Sequence, residues 1–411
     1  MKRRTVVAGA LLVAFSAFIG WRMIYPPNYI SISDWFALPI ATVGAAQPQF
    51  GLSAQACGAC HADSAHEWAS TMHARVWDDP YFRADWRHEG GKQICGNCHT
   101  PLDRQQEKQV LGFHGDDRWN PVLAPNPAFD PALRQEGITC AACHVRDGVV
   151  YGPLPGLAAP HPTAAWTNPN EACVRCHAVR NNSWDSFLRQ PPCGTVAEIE
   201  RARAPDVHAP RPAPDDGYLQ ASPIADPRAL HCVECHMPSV ERALTPGGPV
   251  RQARRHLWRG GHDPQAIRAA LTIDFAKSSL PAGETRYNLT LVNTGAAHDV
   301  PTGAPDRHLT VTLQVVDAAG TALKSQTFAL ERATIGRPFL IDLWDTRLRP
   351  NIAQNFALTV PADGKGAAVE AVVRYWLMSP THRDRLDYRL PISDEIYRER
   401  IPVAEPNART N

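Results

Sequence analysis

Ten of the eleven cysteines fall into one repeated frame: CGACH (57–61), CGNCH (95–99), CAACH (140–144), CVRCH (173–177) and CVECH (232–236). Each copy places two thiols three positions apart, with a histidine directly after the second. That combination suits covalent attachment of a porphyrin, because two thiols reach two vinyl groups and the adjacent imidazole reaches the iron. Structural zinc also uses Cys-x-x-Cys pairs, but it does not demand histidine at the next position every time. A redox dithiol would not recur five times, and a disulfide framework has no use for the histidine. The spacing therefore points to five covalently bound haem c groups. The thiols would be Cys57, Cys60, Cys95, Cys98, Cys140, Cys143, Cys173, Cys176, Cys232 and Cys235, and the proximal iron ligands His61, His99, His144, His177 and His236.

The second axial ligand depends on what else the chain offers. Among the motifs methionine occurs only at Met72 and Met237. Methionine ligation raises haem potential, so its scarcity points to bis-histidine coordination and low potentials. Five histidines are favoured as distal ligands. His73 lies in STMHARVW, an expected helix, and His161 lies in APHPT before the fourth motif. His256 lies in RRHLWRGGHD, where Gly260 and Gly261 would let backbone approach a porphyrin. His298, in NTGAAHDVPTG, would let a second domain cap a haem edge. His231 touches the fifth motif and would serve a neighbouring haem. Arg254, Arg255, Arg259 and Arg307 either pair with propionates or sit solvated. Cys193, in QPPCGTV, is left over. Its ordinary reading is a buried thiol, and the alternative is an iron ligand or a thiol reactive toward sulfur compounds.

The elements around these residues divide the chain. Lys2, Arg3 and Arg4 precede an apolar run from Thr5 to Ile24, uncharged until Arg22. Its length fits one membrane helix, and no small-residue cleavage site follows before Ala45 and Ala46, so an uncleaved anchor is expected. Positive charge before the helix would leave its start in the cytoplasm and export the rest. The expected division is a cytoplasmic tip and anchor (1–25), a linker (26–50), a pentahaem domain (51–262), a β-sandwich (263–400) and a tail (401–411). In the pentahaem region Pro, Gly and Asn interrupt nearly everything, and porphyrins would replace the missing apolar core. After Asp263 come alternating runs such as YNLTLV (287–292), LTVTLQVV (309–316) and AVVRYWL (371–377), the period-two pattern of strands. The expected fold class is a loop-rich, mainly α multihaem domain followed by an antiparallel β-sandwich, with a single N-terminal transmembrane helix.

The ordered motifs CGNCHTPL, GITCAACH, APHP before CVRCH, CVECHMP, HLWRGGHD and HDVPTG carry a family likeness. Over roughly residues 51–400 the chain resembles the multihaem cytochromes c related to the tetrahaem electron acceptor of hydroxylamine oxidoreductase. It is more similar to members with a C-terminal immunoglobulin-like β domain. The resemblance implies electron transfer through closely stacked bis-histidine haems, and it fixes no substrate. Pentahaem nitrite reductases are similar in haem number but use a lysine-ligated haem, and this sequence has no Cys-x-x-Cys-Lys.

The formal net charge is +1, with 42 basic and 41 acidic residues, which excludes the basic excess of a nucleic-acid binder. The expected function is a membrane-anchored cytochrome on the periplasmic side of a bacterial inner membrane, with an extracellular location as the alternative. It would pass electrons from a respiratory or quinol-linked donor to a redox partner. Two other readings stand beside it. One is a multihaem oxidoreductase with an open haem for a small nitrogen or sulfur compound, its pocket gathering Cys193, His208 and His231. The other is a subunit of an extracellular haem conduit.

Overall fold

A computed structural model describes residues 2–28, 30–32, 34–45, 50–152, 159–168, 170–179, 185–188, 193–202, 232–362 and 364–403. The chain starts with a helix over Lys2–Ile24, of which Arg4–Ile24 is long and apolar enough to cross a membrane. The segment expected as a linker is docked. Phe36, Ala37 and Ile40 are buried, and Asn97 donates to the carbonyls of Phe36 (3.0 Å) and Ala37 (2.9 Å).

The region of the five motifs is built from short helices and small sheets. Strands β1 (Lys108–His114) and β2 (Asp117–Pro125) form a hairpin, and β3 (Val145–Arg146), β4 (Val149–Gly152) and β5 (Thr163–Ala165) form a three-stranded sheet. Strand β6 (Ser186–Phe187) leaves this region to join a sheet described below, and β7 (Ser239–Ala243) pairs with β8 (Val250–Arg254).

These strands correct the expectation of a mainly α haem domain. Among the described residues helix and strand take near-equal shares, about 30% and 33%. The motif helices are five to seven residues long, as at Cys140–His144 and Gln93–His99, too short to dominate a fold. The longest hairpin comes from KQVLGFHGDDRWNPVLAP, with Gly115 at φ 60° in its turn. Valine, phenylalanine and tryptophan around a left-handed glycine are hairpin chemistry. The glycine and prolines inside the run hid that pattern and made it read as loop.

The second half holds the main hydrophobic core. Strands β9 (Leu271–Ser279) and β10 (Thr285–Asn293) pair antiparallel, and β11 (His308–Val316) pairs with β12 (Ala322–Leu330). The hairpin β13 (Arg332–Ile335) and β14 (Leu340–Asp345) joins β6, with Ile341 beside Phe187. Strands β15 (Ala353–Val360), β16 (Ala368–Trp376) and β17 (Ser393–Pro402) complete two facing sheets, ordered β15-β10-β9 and β12-β11-β16-β17. Alternation decides which face is inside. Tyr287, Leu289 and Leu291 of β10 and Leu309, Val311 and Leu313 of β11 have no exposed surface, and they meet in one cluster with Val369, Ala371 and Val373 of β16.

Candidate haem sites

Each motif sits on or just after a short helix, which projects the second cysteine and the histidine in successive directions. Ser53 accepts from the Ala56 amide and starts the helix Ala54–Gly58 that carries Cys57. Thr139 precedes the helix Cys140–His144, its hydroxyl 2.8 Å from Glu136 Oε2. The motifs are crowded together. The thiols of Cys57 and Cys140, of Cys98 and Cys176, and of Cys173 and Cys232 lie beside one another. The first motif therefore touches the third, and the fourth touches both the second and the fifth.

The histidines are oriented by backbone carbonyls. Nδ1 of His61 lies 3.0 Å from Leu244 O, that of His144 2.6 Å from Tyr151 O, and that of His236 3.0 Å from Arg259 O. Donation from Nδ1 leaves Nε2 as a lone-pair donor, the arrangement that metal-bound histidines use. Among the favoured distal histidines, His256 does the same with Arg254 O (3.1 Å) and His298 with Asp299 O (2.9 Å).

Two of these distal candidates lie close to motif histidines. The ring centroids of His144 and His256 are 6.2 Å apart, and those of His236 and His298 are 6.4 Å apart with planes 8° from parallel. A metal–imidazole bond is about 2 Å long and the ring adds about 1 Å, so two imidazoles across one iron have centroids about 6 Å apart. Both pairs have that spacing. Burial pushes His256 down to about 4 and lowers His144, His236 and His298 as well. Neutral imidazole is the form that ligates.

His73 is half-buried, its pKa pushed down to about 3 first by desolvation and then by the charges of His177 and His236, and its ring is 4.9 Å from Trp258. It thus lies among the fourth and fifth motifs. His161 is not brought to a motif ring among the described residues; its Nδ1 is 3.4 Å from the carbonyl of its own neighbour Pro162. His231 and His208 lie outside the described residues. Cys193, expected as a buried thiol, is exposed, with φ 55° and its amide donating to Gly303 O at 3.1 Å.

His99 is held differently. Phe82 stacks on its ring at 3.8 Å, and its Nδ1 is buried without a partner among the described residues. Of the four singled-out arginines, Arg254 donates to Met237 O, Arg255 reaches Glu67 and Arg259 reaches Asp263. Arg307 Nη2 lies 3.2 Å from His262 Nε2 and its Nη1 3.5 Å from Thr302 O, while its Nε is buried without a partner among the described residues. The hydroxyl of Tyr375 is also buried without a partner among the described residues, and a Cβ at Gly261 would stand 3.0 Å from it. A carboxylate such as a haem propionate would satisfy both donors.

Sequence reasoning missed the residues that support the ligands. Glu67 accepts from the His256 amide at 2.9 Å and from Arg242 at 2.7 Å. Burial opposes its charge, but these bonds outweigh it and hold the carboxyl below its usual range. Asp299, next to His298, is gripped by Arg201 and by Arg347 at 3.2 Å. A carboxylate one turn after a motif, or directly after a distal candidate, was the only available signal. Among the described residues no group of three His, Cys, Asp or Glu side chains converges as a zinc site needs. The thiols, carbonyl-oriented imidazoles and orphaned donors fit haem instead.

No family model matches the chain, and no curated protein does. In structure it is similar to the penta-heme cytochrome c552 of Thermochromatium tepidum. The TM-score is 0.58 at 18% identity, over 87% of this chain and 100% of that one. That likeness is one of fold. A β-glucosidase of Kluyveromyces marxianus aligns at TM-score 0.15 and 10% identity, over 33% of this chain and 14% of that one, and carries no argument.

Proposed function

We propose that this protein is a pentahaem c-type cytochrome that carries electrons, anchored by its N-terminal helix on the periplasmic side of a membrane. The close histidine pairs carry the reading. The ring spacings of His144 with His256 (6.2 Å) and of His236 with His298 (6.4 Å) support it. The five motifs and the fold shared with a penta-heme cytochrome support the cofactor. The relation to the hydroxylamine oxidoreductase acceptor group belongs to the same reading.

Bound haem would supply one-electron redox chemistry, and the chain would position and tune it. The ten motif cysteines would tether the rings and the five motif histidines would ligate one face. His256 and His298, with His73 for a neighbouring motif, would ligate the other. Contacts between motifs 1 and 3, 2 and 4, and 4 and 5 would keep the centres close enough for electrons to hop. A quinol-linked or soluble periplasmic donor and a partner protein would load and empty the chain of centres.

One observation favours a second reading. Arg307, His262 and Tyr375 converge with buried donors unsatisfied, which would suit a small anion beside an open haem. Low-temperature EPR of the oxidised protein, integrated against total haem, separates the two. Electron transfer predicts low-spin ferric iron throughout, unchanged by nitrite or sulfite. A high-spin share of one haem, shifting on addition of either anion, would move the assignment to an oxidoreductase.

A further inference from the structure

The N-terminal helix is not joined to the body by a loose tether. Near its end Arg22 is only 5% exposed and pairs with Asp185 at 2.6 Å, both side chains buried. Arg22 Nε also donates to Pro338 O at 3.2 Å, and Arg337 Nη1 donates to Met23 O at 2.7 Å. These contacts fix the helix against the loop between β13 and β14. Lower on the helix, Phe18 lies 6.2 Å from Phe339, ring centroid to centroid, and Phe339 meets Phe187 edge-on at 5.9 Å.

Height along the helix decides what this means. At about 1.5 Å per residue, Phe18 lies about 9 Å back from the helix end at Ile24. The apolar span Arg4–Ile24 has 21 residues, and about 20 are needed to fill a hydrocarbon core. A bilayer surrounding that span therefore surrounds Phe18 too, and Phe339 beside it. Phe187, which meets Phe339, and Ile335 at the end of β13 are exposed, at 59% and 39%. Trp21 and Tyr25, at 49% and 61%, are the residue types that settle at a membrane–water interface. The ion pair at this depth is enclosed by protein, which is how a charge is tolerated near hydrocarbon.

We infer that the tip of the β13–β14 hairpin, with Phe187 of β6, is a lipid-contacting wedge that sits in the outer leaflet of the bilayer beside the anchor. The occupant of this apolar surface is phospholipid. The wedge fixes the tilt of the body against the membrane, because hairpin and helix are joined by the Arg22–Asp185 pair. The inference rests on the anchor reading above and goes beyond it, since a helix on a flexible linker would leave the hairpin in water.

The test uses the full haem-loaded chain in phosphatidylcholine–phosphatidylglycerol bilayers. The photoreactive residue p-benzoylphenylalanine replaces Leu12, Phe187, Ile335 or Leu323, one at a time, and irradiated protein is read by mass for lipid adducts. Leu323 is an exposed control on β12. The haem spectrum of each variant checks that it folds. Lipid adducts at 12, 187 and 335 with none at 323 are expected. Adducts at 12 alone overturn the wedge and leave the anchor standing. No adduct at 12 removes the anchor and the wedge with it. Cross-links from 187 and 335 to a second protein chain, rather than to lipid, show a protein interface there and overturn the lipid assignment.

Discussion

The two halves of the chain solve the problem of burial in opposite ways. The C-terminal half closes two sheets over a contiguous apolar cluster in which Tyr287, Leu289, Leu309, Leu313 and Val373 are wholly inside. The half with the motifs has only small clusters, such as Leu52, Leu102, Leu133 and Ala141, and it is stitched by side-chain bonds to backbone. Gln105, for example, donates to Leu133 O and Gly137 O. The difference shows where the rest of the core must come from. A half with ten thiols and five motif histidines on short helices, and no large apolar cluster of its own among the described residues, is shaped around something apolar that it does not itself supply.

The largest test of this contrast is to withhold the haem. Expressed where no haem attachment occurs, the protein should keep slow amide exchange in β10, β11 and β16 and lose it throughout residues 51–152. Native-like protection in the motif half without haem would break the comparison. Next in size, Leu309→Ala should destabilise the sandwich by about 2–5 kcal/mol through the cavity it leaves, with the haem spectrum unchanged below the unfolding midpoint. Urea titrations followed at the sheet and at the haem bands would separate the two effects. A smaller loss is expected for Glu67→Gln, about 1–3 kcal/mol from weakened charged hydrogen bonds to Arg242 and the His256 amide. It should shift the spectrum of the haem that His256 would ligate under the proposed function and leave the sandwich melting unchanged.

The smallest effect concerns the seam. His382 of the sandwich half lies 2.9 Å from Asp306 and 3.3 Å from Asp85 of the motif half. The bonds to Asp306 and then Asp85 raise its pKa to about 9. A raised pKa means that the stabilisation is complete below the unfolded value of about 6.5. It is lost as pH rises through about 9. The stability difference between the protein and His382→Ala should therefore be constant in mild acid and vanish in mild alkali. A difference that grew with pH would show that the pair does not join the halves as described.

The attachment motifs were readable because covalent chemistry demands fixed spacing on one short segment. Distal partners were readable only as a short list. His256 and His298 reach motif histidines because the chain doubles back through β7–β8 and through the loop after β10, and no local pattern records that path. His161 shares their sequence signals, a histidine among proline and small residues, yet it meets no motif ring among the described residues. The β1–β2 hairpin was lost for a related reason. Gly112, Gly115 and Pro121 interrupt its alternation, and register with a partner strand, not composition, makes it a sheet. Phe82 on His99 has no signature at all, since a stacked ring depends only on how two helices are set.

The pair His236 and His298 crosses the boundary between the halves. Under the proposed function, one iron would then be a cross-link between them whose strength depends on oxidation state. By linkage, whatever loosens the docking must shift that centre's midpoint potential, and reducing the centre must change how firmly the halves hold together. The sandwich would thus act as a mechanical load on one redox couple, and pulling on the β domain would be felt as a voltage.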